Sequence, residues 1–310
     1  MANWQRPTRD RSFARSIRLK RDTRWGLIFI APGAAYFVVF WILPVILAAI
    51  QSLSRWKAGR AAGFIGLKNY VDLLNDPLFR NSATASAIIT AGTVIITFAL
   101  ALGLALVLND ETLRGGRWFR LIIFLPVVTD WVATGLVWQL IFLPYQGMLP
   151  GIFYNLGLRD LMNLRWTADR GLAPIAIIIF IVWKTTGLYT VILLAGLKSV
   201  PKPLVEAALV DGANAWQAFR NVTMPLLAPI TVFVVVSSFV STIGLFEPVF
   251  MLTGGGPADA TKTLPLFLYE QFFQFQAGGY ASAAGMLSLF MCLAFALIAA
   301  RRLQQTAYEE

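Results

Sequence analysis

The chain has 310 residues, of which 57% are hydrophobic and only 14% charged, and it carries a formal net charge of +10. A soluble domain of this size has about 25% charged residues and spreads its apolar positions periodically; here they stand in blocks, which points to an all-α integral membrane protein and away from a nucleic-acid binder. There is no histidine and one cysteine, Cys292, inside an apolar run, so a histidine base, a Ser–His triad, an intrachain disulfide and a thiolate zinc site are all excluded.

Residues 1–24 are basic and polar, holding 8 of the 26 Lys and Arg residues. The run RSFARSIRLKRDTR reads either as an amphipathic helix on the inner leaflet or as a disordered positive tail that sets topology. The apolar run that follows is longer than the roughly 7–15 residues of a signal-peptide core. Six blocks then meet the requirement of about 20 apolar residues for a spanning helix: residues 25–50, 85–108, 119–143, 172–197, 226–251 and 280–300. Prolines 32, 44, 126, 174, 229 and 248 interrupt them, which spanning helices tolerate when neighbours satisfy the freed backbone groups. Counting Lys and Arg in alternate connections gives 16 on the side of the N-terminus and 9 on the other, a bias that predicts both termini inside. The organisation is thus an N-terminal segment 1–24, a six-helix domain 25–300 and a cytoplasmic tail 301–310. In the outer connections, FIGLKNYVDLLNDP within 51–80 predicts a short helix entered through Gly66. Residues 252–279 open on TGGGP and continue as an aromatic segment suited to the membrane–water interface.

The stretch 201–225, PKPLVEAALVDGANAWQAFRNVTMP, is a polar interruption between two long apolar runs. Pro201 and Pro203 end one span and suit a new first turn. Leu204, Val205, Ala208 and Leu209 recur at helical spacing. Glu206 falls early in that helix, where the dipole favours a negative charge. Asp211-Gly212 closes it, because glycine takes the left-handed conformation readily. Trp216, Phe219 and Val222 make a second apolar stripe before Met224-Pro225. On the predicted topology this pair of short helices is cytoplasmic, a compact unit for another protein to grip.

Three ionisable residues fall inside predicted spans: Asp130, Lys184 and Glu247. Charges at bilayer depth are costly and face a bundle interior or cavity. Asp130 and Lys184 can pair, structurally or within a pathway, and Glu247 lies in the outer part of the fifth span beside Pro248. Trp138, Gln139, Thr185, Tyr189 and Phe246 add the aromatic, hydroxyl and amide mix that suits a sugar-like solute. No G-x-x-x-x-G-K-[ST] loop occurs, so any ATP and Mg must be bound by a partner.

The cytoplasmic stretch resembles the loop shared by the membrane subunits of bacterial ABC importers, whose pattern is E-A-A, three residues, G, nine residues, I-x-L-P. Here it stands as Glu206-Ala207-Ala208, Gly212, Val222, Met224 and Pro225, with the spacing kept and two apolar swaps of similar volume. The resemblance extends over about residues 25–300 and narrows to the carbohydrate, maltose-transporter-type permeases, through LIFIAPGAAYFVVFWILP, FIGLKNY, VWKTTG, LAGLKSVP, VDGANAWQAF and FMLTGGGP. It implies a six-helix permease core in the bacterial inner membrane that imports a sugar-like solute: an oligosaccharide, trehalose, a polyol or a glycerol phosphate. It also implies an ATP-binding subunit dimer, a second homologous permease and an extracytoplasmic solute-binding protein as partners, with no covalent catalysis in this chain. Glu206, Ala207, Ala208, Asp211, Gly212, Ala213, Trp216, Phe219 and Pro225 are then the residues that couple to the ATPase. Two alternatives stay open at the level of sequence. One is a secondary transporter driven by an ion gradient through Asp130 and Lys184; the other, an embedded enzyme, lacks any visible catalytic cluster.

Overall fold

Backbone groups in hydrocarbon must find hydrogen-bond partners within the protein, so the apolar blocks fold as helices. The computed structural model describes residues 26, 28–57, 60–110 and 112–308; the basic segment 1–24, with its two readings, lies outside the described residues. The first long helix, α1 (Ile28–Ser52), is apolar on all sides and almost wholly exposed, as suits a helix facing lipid. It widens to a π-turn at Val38–Ile42, where Leu43 N–H reaches back to the Val38 carbonyl just ahead of Pro44. A proline ring clashes with the carbonyl four residues before it, and the wider turn relieves that clash.

The connection between the first two spans differs from the sequence reading. Before the expected short helix, α2 (Lys68–Asn75), the chain makes an antiparallel hairpin of β1 (Ser54–Lys57) and β2 (Arg60–Phe64). The Asn69 side chain donates to the carbonyls of Ser52 (2.7 Å) and Ser54 (3.2 Å), tying α2 to the hairpin. The second span, α3 (Pro77–Asn109), starts about two turns earlier than its apolar block, because Asp76 caps it by accepting from Leu78 N–H at 2.8 Å.

The third block is where structure and sequence part most clearly. A single helix over 119–143 was expected; the chain instead forms α4 (Gly116–Val128) and α5 (Trp131–Ile141), bent by 101° at Thr129–Asp130. The short α6 (Met148–Asn155) and a 3-10 turn, Arg159–Asn163, follow. Next comes α7 (Leu172–Ser199), the most deeply buried of the long helices, with Ala176, Ile177, Phe180 and Leu193 inaccessible. After α8 (Lys202–Val210), the chain re-enters as α9 (Ala215–Ile243), whose π-turn Phe219–Thr223 again precedes a proline, Pro225. The fifth block is also shorter than expected: α9 stops at Ile243, and α10 (Glu247–Leu252) is a separate helix. Outside it, α11 (Leu264–Tyr269) leads into a π-turn, Glu270–Gln274. The last helix, α12 (Gly278–Tyr308), runs through most of the expected tail 301–310.

The described residues therefore contain five helices long and apolar enough to cross a membrane, or six if the bent pair α4–α5 counts as one span. The α3–α7 pair makes the most extensive helix contact. Along α3 the buried face includes Ser82, Ser86, Thr90, Thr93, Thr97, Ala101 and Ala105, small side chains at helical spacing, beside the larger Ile89 and Val94. Lipid chains are as apolar as leucine, so helices associate by close packing, and small residues allow it. One end of the bundle is filled by Ile177, Phe180, Ile181, Phe142 and Val249, the other by Leu193, Leu197, Leu227 and Val234.

Candidate functional site

Pro201, in extended conformation, breaks α7 from α8, and Pro203 sits in the first turn of α8, where its missing N–H costs nothing. The helix ends in a Schellman motif: Ala213 N–H donates to the Ala208 carbonyl (3.0 Å) and Gly212 N–H to the Leu209 carbonyl (3.1 Å). That closure requires a left-handed residue, and Gly212 has φ +91° with open space where a Cβ would stand. Asp211 is the C-cap residue. Two residues after the glycine, Asn214 and Gln217 form a reciprocal capping box that starts α9 (2.8 and 2.9 Å); the N-x-x-Q spacing is the signal in the sequence that carries it. The rings of Trp216 and Phe219 lie 5.6 Å apart on the opening turns of α9. Gly212 thus separates two independently capped helices.

Glu206 is the fifth residue of α8, beyond its first turn. The dipole effect fades within one turn, so the explanation offered from sequence does not hold for it. Instead Glu206 lines a groove of about 660 Å³ with Lys198, Val205, Phe219 and Thr223. Ala207 is exposed, Ala208 and Ala213 half-buried, and Pro225 leads into the bundle. Val210 is 87% exposed and Trp216 66%, with Leu204 and Leu209 about half exposed. Exposed apolar side chains gathered on a polar connection are of the kind found at protein or membrane contact sites.

Within the membrane, Asp130 and Lys184 form no ion pair with each other. Asp130 caps α5, accepting from the N–H groups of Val132 (2.9 Å) and Ala133 (3.0 Å). Lys184, only 3% exposed, donates from Nζ to the Pro126 carbonyl (3.0 Å), the Thr129 carbonyl (2.6 Å) and Thr129 Oγ1 (3.0 Å). Its ammonium also lies 4.8 Å from the Trp131 ring. Thr129 was missed in the sequence, although Thr-Asp ahead of an apolar run is an N-terminal signal.

The remaining pathway candidates do not converge on one cavity. Trp138 packs among Phe142, Phe180 and Trp183, at 5.2, 5.7 and 5.4 Å between centroids, and borders an apolar cavity of about 580 Å³ with Pro126, Trp183 and Gly187. Gln139 is exposed, Thr185 Oγ1 donates to its own helix at Ile181 (2.8 Å), and Tyr189 is buried with Leu193. Phe246 stacks on Phe250 (4.9 Å), packs at a tilt against Tyr269 (5.0 Å) and borders a second cavity of about 350 Å³ with Phe272 and Phe273. Glu247 opens α10, half-buried. Beside this cavity, and unforeseen, Lys262 bridges Asp259 (2.7 Å) and Glu270 (2.9 Å), fastening the TGGGP loop to the π-turn after α11.

Comparison with known proteins fits this geometry. Residues 102–305 match the family described as binding-protein-dependent transport system inner membrane component. The lactose transport system permease protein LacF of Rhizobium radiobacter is 34% identical over 246 residues, 79% of this chain and 82% of that protein. The trehalose/maltose transport system permease protein MalF of Thermococcus litoralis is 32% identical over 250 residues, 80% and 83% of the two chains. Among solved structures, one chain of a bacterial alginate ABC transporter, in complex with alginate pentasaccharide-bound periplasmic protein, superposes with a TM-score of 0.80 at 20% identity. The match covers 94% of this chain and 97% of that one, a likeness of fold. The chain belongs to the family of binding-protein-dependent transport system inner membrane components, the permease subunits of ABC importers. That assignment leaves the ion-gradient carrier without support.

Proposed function

We propose that this permease carries a sugar or sugar-like solute across the inner membrane and that the 201–225 hairpin couples the movement to ATP hydrolysis in a partner. The observation that carries the coupling role is the hairpin itself: where a pair of short helices was expected, the short α8, closed at Gly212, meets the capped first turns of the long α9, and together they present exposed Val210 and Trp216. A connection that served only to link two spans would have no need of that exposed apolar surface. In this reading α8 and the start of α9 seat in a cleft of an ATP-binding subunit dimer, which holds the ATP and Mg. A second homologous permease completes the pathway, and a solute-binding protein delivers from outside. Both termini are cytoplasmic, with α4 and α5 together serving as one of six spans, supported by the excess of Lys and Arg on that side. The sugar class is supported by the printed functions of the lactose and trehalose/maltose relatives. Gln139, Phe246 and Glu247, with the aromatic groups around them, are assigned to the pathway; Asp130, Trp138, Lys184, Thr185 and Tyr189 line or hold its walls.

The test is reconstitution of this chain with its ATPase, partner permease and binding protein in liposomes. ATP hydrolysis is expected to rise several-fold when the binding protein carries its sugar, with the sugar accumulating inside. Hydrolysis that ignores the loaded binding protein would overturn the coupling role, and accumulation of amino acids or ions in place of sugars would overturn the solute class.

A further inference from the structure

The 101° break between α4 and α5 poses a problem that the caps answer only on one side. Asp130 satisfies the first N–H groups of α5, but at the end of α4 the ladder gives the Pro126 carbonyl only a long bond from Thr129 N–H at 3.3 Å, and within a bilayer no water adds to it. Lys184 supplies a further partner from α7. Its three N–H bonds each meet an oxygen at the end of α4, two carbonyls and one hydroxyl, and the Trp131 ring lies over its remaining face. Thr129 Oγ1 in turn donates to the Pro126 carbonyl at 2.6 Å, closing the network. A cation at a helix C-terminus also answers the negative end of the dipole. One turn along α7, Gly187 lets the two backbones touch: a Cβ there would meet the Ile123 carbonyl and come within 2.8 Å of the Ile123 carbonyl carbon. Lys184 and Gly187, both from VWKTTG, therefore hold α4 by a polar bond and by close contact.

What the break positions is α5. Its Gly135 faces α10 so closely that a Cβ would stand 2.9 Å from Met251 Cβ, and α10 carries Glu247 and follows Phe246. We infer that Lys184 is a positioning residue of the permease: its ammonium holds the end of α4 so that α5 leaves at a fixed angle and packs on α10, setting the wall of the solute pathway. The placement of α5 is independent of the solute; only the transport consequence rests on the function proposed above.

The experiment uses the full complex in liposomes, with Cys292→Ser and spin labels at Leu125→Cys and Val137→Cys, both on exposed faces of α4 and α5. Pulsed dipolar spectroscopy is expected to give one narrow distance across the break when Lys184 is present and a broad or shifted one in Lys184→Met. Thr129→Val, the milder variant should Lys184→Met fail to assemble, broadens it less, and Thr129→Ser, which keeps the hydroxyl, restores the narrow distance. Charge-assisted hydrogen bonds are strong enough that maximal uptake falls about tenfold in Lys184→Met, with the concentration of loaded binding protein for half-maximal uptake unchanged. An unaltered narrow distance in Lys184→Met overturns the inference, as do equal widths for Thr129→Val and Thr129→Ser, or a broadened distance with undiminished uptake. If the unsubstituted complex moves no sugar, the functional proposal fails, while the distances still decide whether Lys184 holds the break.

Discussion

Gly212 offers the sharpest test of the coupling hairpin. Its φ of +91° lies where an L side chain is strained, and among the described residues no atom beyond its two chain neighbours comes within 4 Å of the place a Cβ would take. A substitution there is therefore felt through backbone conformation and through whatever partner covers the loop, never through packing inside the subunit. Forcing a residue with a Cβ into the left-handed region costs about 1–2 kcal/mol, a β-branched one more. That is enough to lower the population of the closed Ala208–Ala213 turn by roughly 5–30-fold. Gly212→Val is thus expected to abolish most solute-stimulated ATP hydrolysis in the reconstituted complex while leaving membrane insertion intact. Gly212→Asn separates two causes, since asparagine tolerates the left-handed region. Retained stimulation in Gly212→Asn means that conformation is what matters; loss in both variants means that the partner's cleft admits only bare backbone. Full stimulation in Gly212→Val refutes the reasoning.

Other substitutions probe the elements that frame the pathway. Gly187→Ala pushes a methyl against the backbone of Ile123 and Phe124, which cannot rotate away; a loss of about 1–3 kcal/mol should lower the thermal midpoint of the detergent-solubilised complex, and an unchanged midpoint would show that the helices can separate freely. Asp130→Ala removes the cap of α5 at a cost of about 1 kcal/mol, whereas Asp130→Asn keeps it, so uptake should fall in the first and survive in the second; equal loss in both would mean that the charge is what counts. At Lys262 burial works against the charge, but hydrogen bonds to Asp259 and Glu270, together with their negative charges, raise its pKa above the ordinary lysine value of 10.5. Its contribution is then complete below that value and lost as pH rises through the raised pKa. Protease cleavage within residues 253–263 should accelerate only in that alkaline range, and Lys262→Met should show the accelerated rate already at neutral pH.

Much of the fold was legible because bilayer burial leaves coarse marks. The apolar blocks located every long helix among the described residues, and the spacing from Glu206 to Pro225 located the hairpin together with the glycine that closes α8. Features that depend on one residue's partner were not legible. The block 119–143 is apolar enough overall to read as one span, yet Pro126, Thr129 and Asp130 fall within five positions, and the chain divides there, with Asp130 capping the second helix. Lys184 read as a charge seeking a counter-charge; it found carbonyl oxygens, which a sequence does not display. The hairpin Ser54–Phe64 was invisible because its strands are short and basic, and its position follows from Asn69 and the start of α12: a Cβ at Gly279 would meet the Ser54 carbonyl.

The sequence by itself determined the class of protein and its likeness to the importer permeases. Both rest on local patterns, namely runs of apolar residues and a motif of fixed spacing within one connection. Only the tertiary structure decided what the buried charges do and where the helices break. A lysine 55 residues from Thr129 reaches it solely because α7 and α4 pack side by side, and that proximity is set by Gly187. The 201–225 hairpin belongs to both accounts: its glycine stands out by its place in the motif, and the Schellman closure, which needs a left-handed residue at Gly212, supplies the physical reason that glycine suits it.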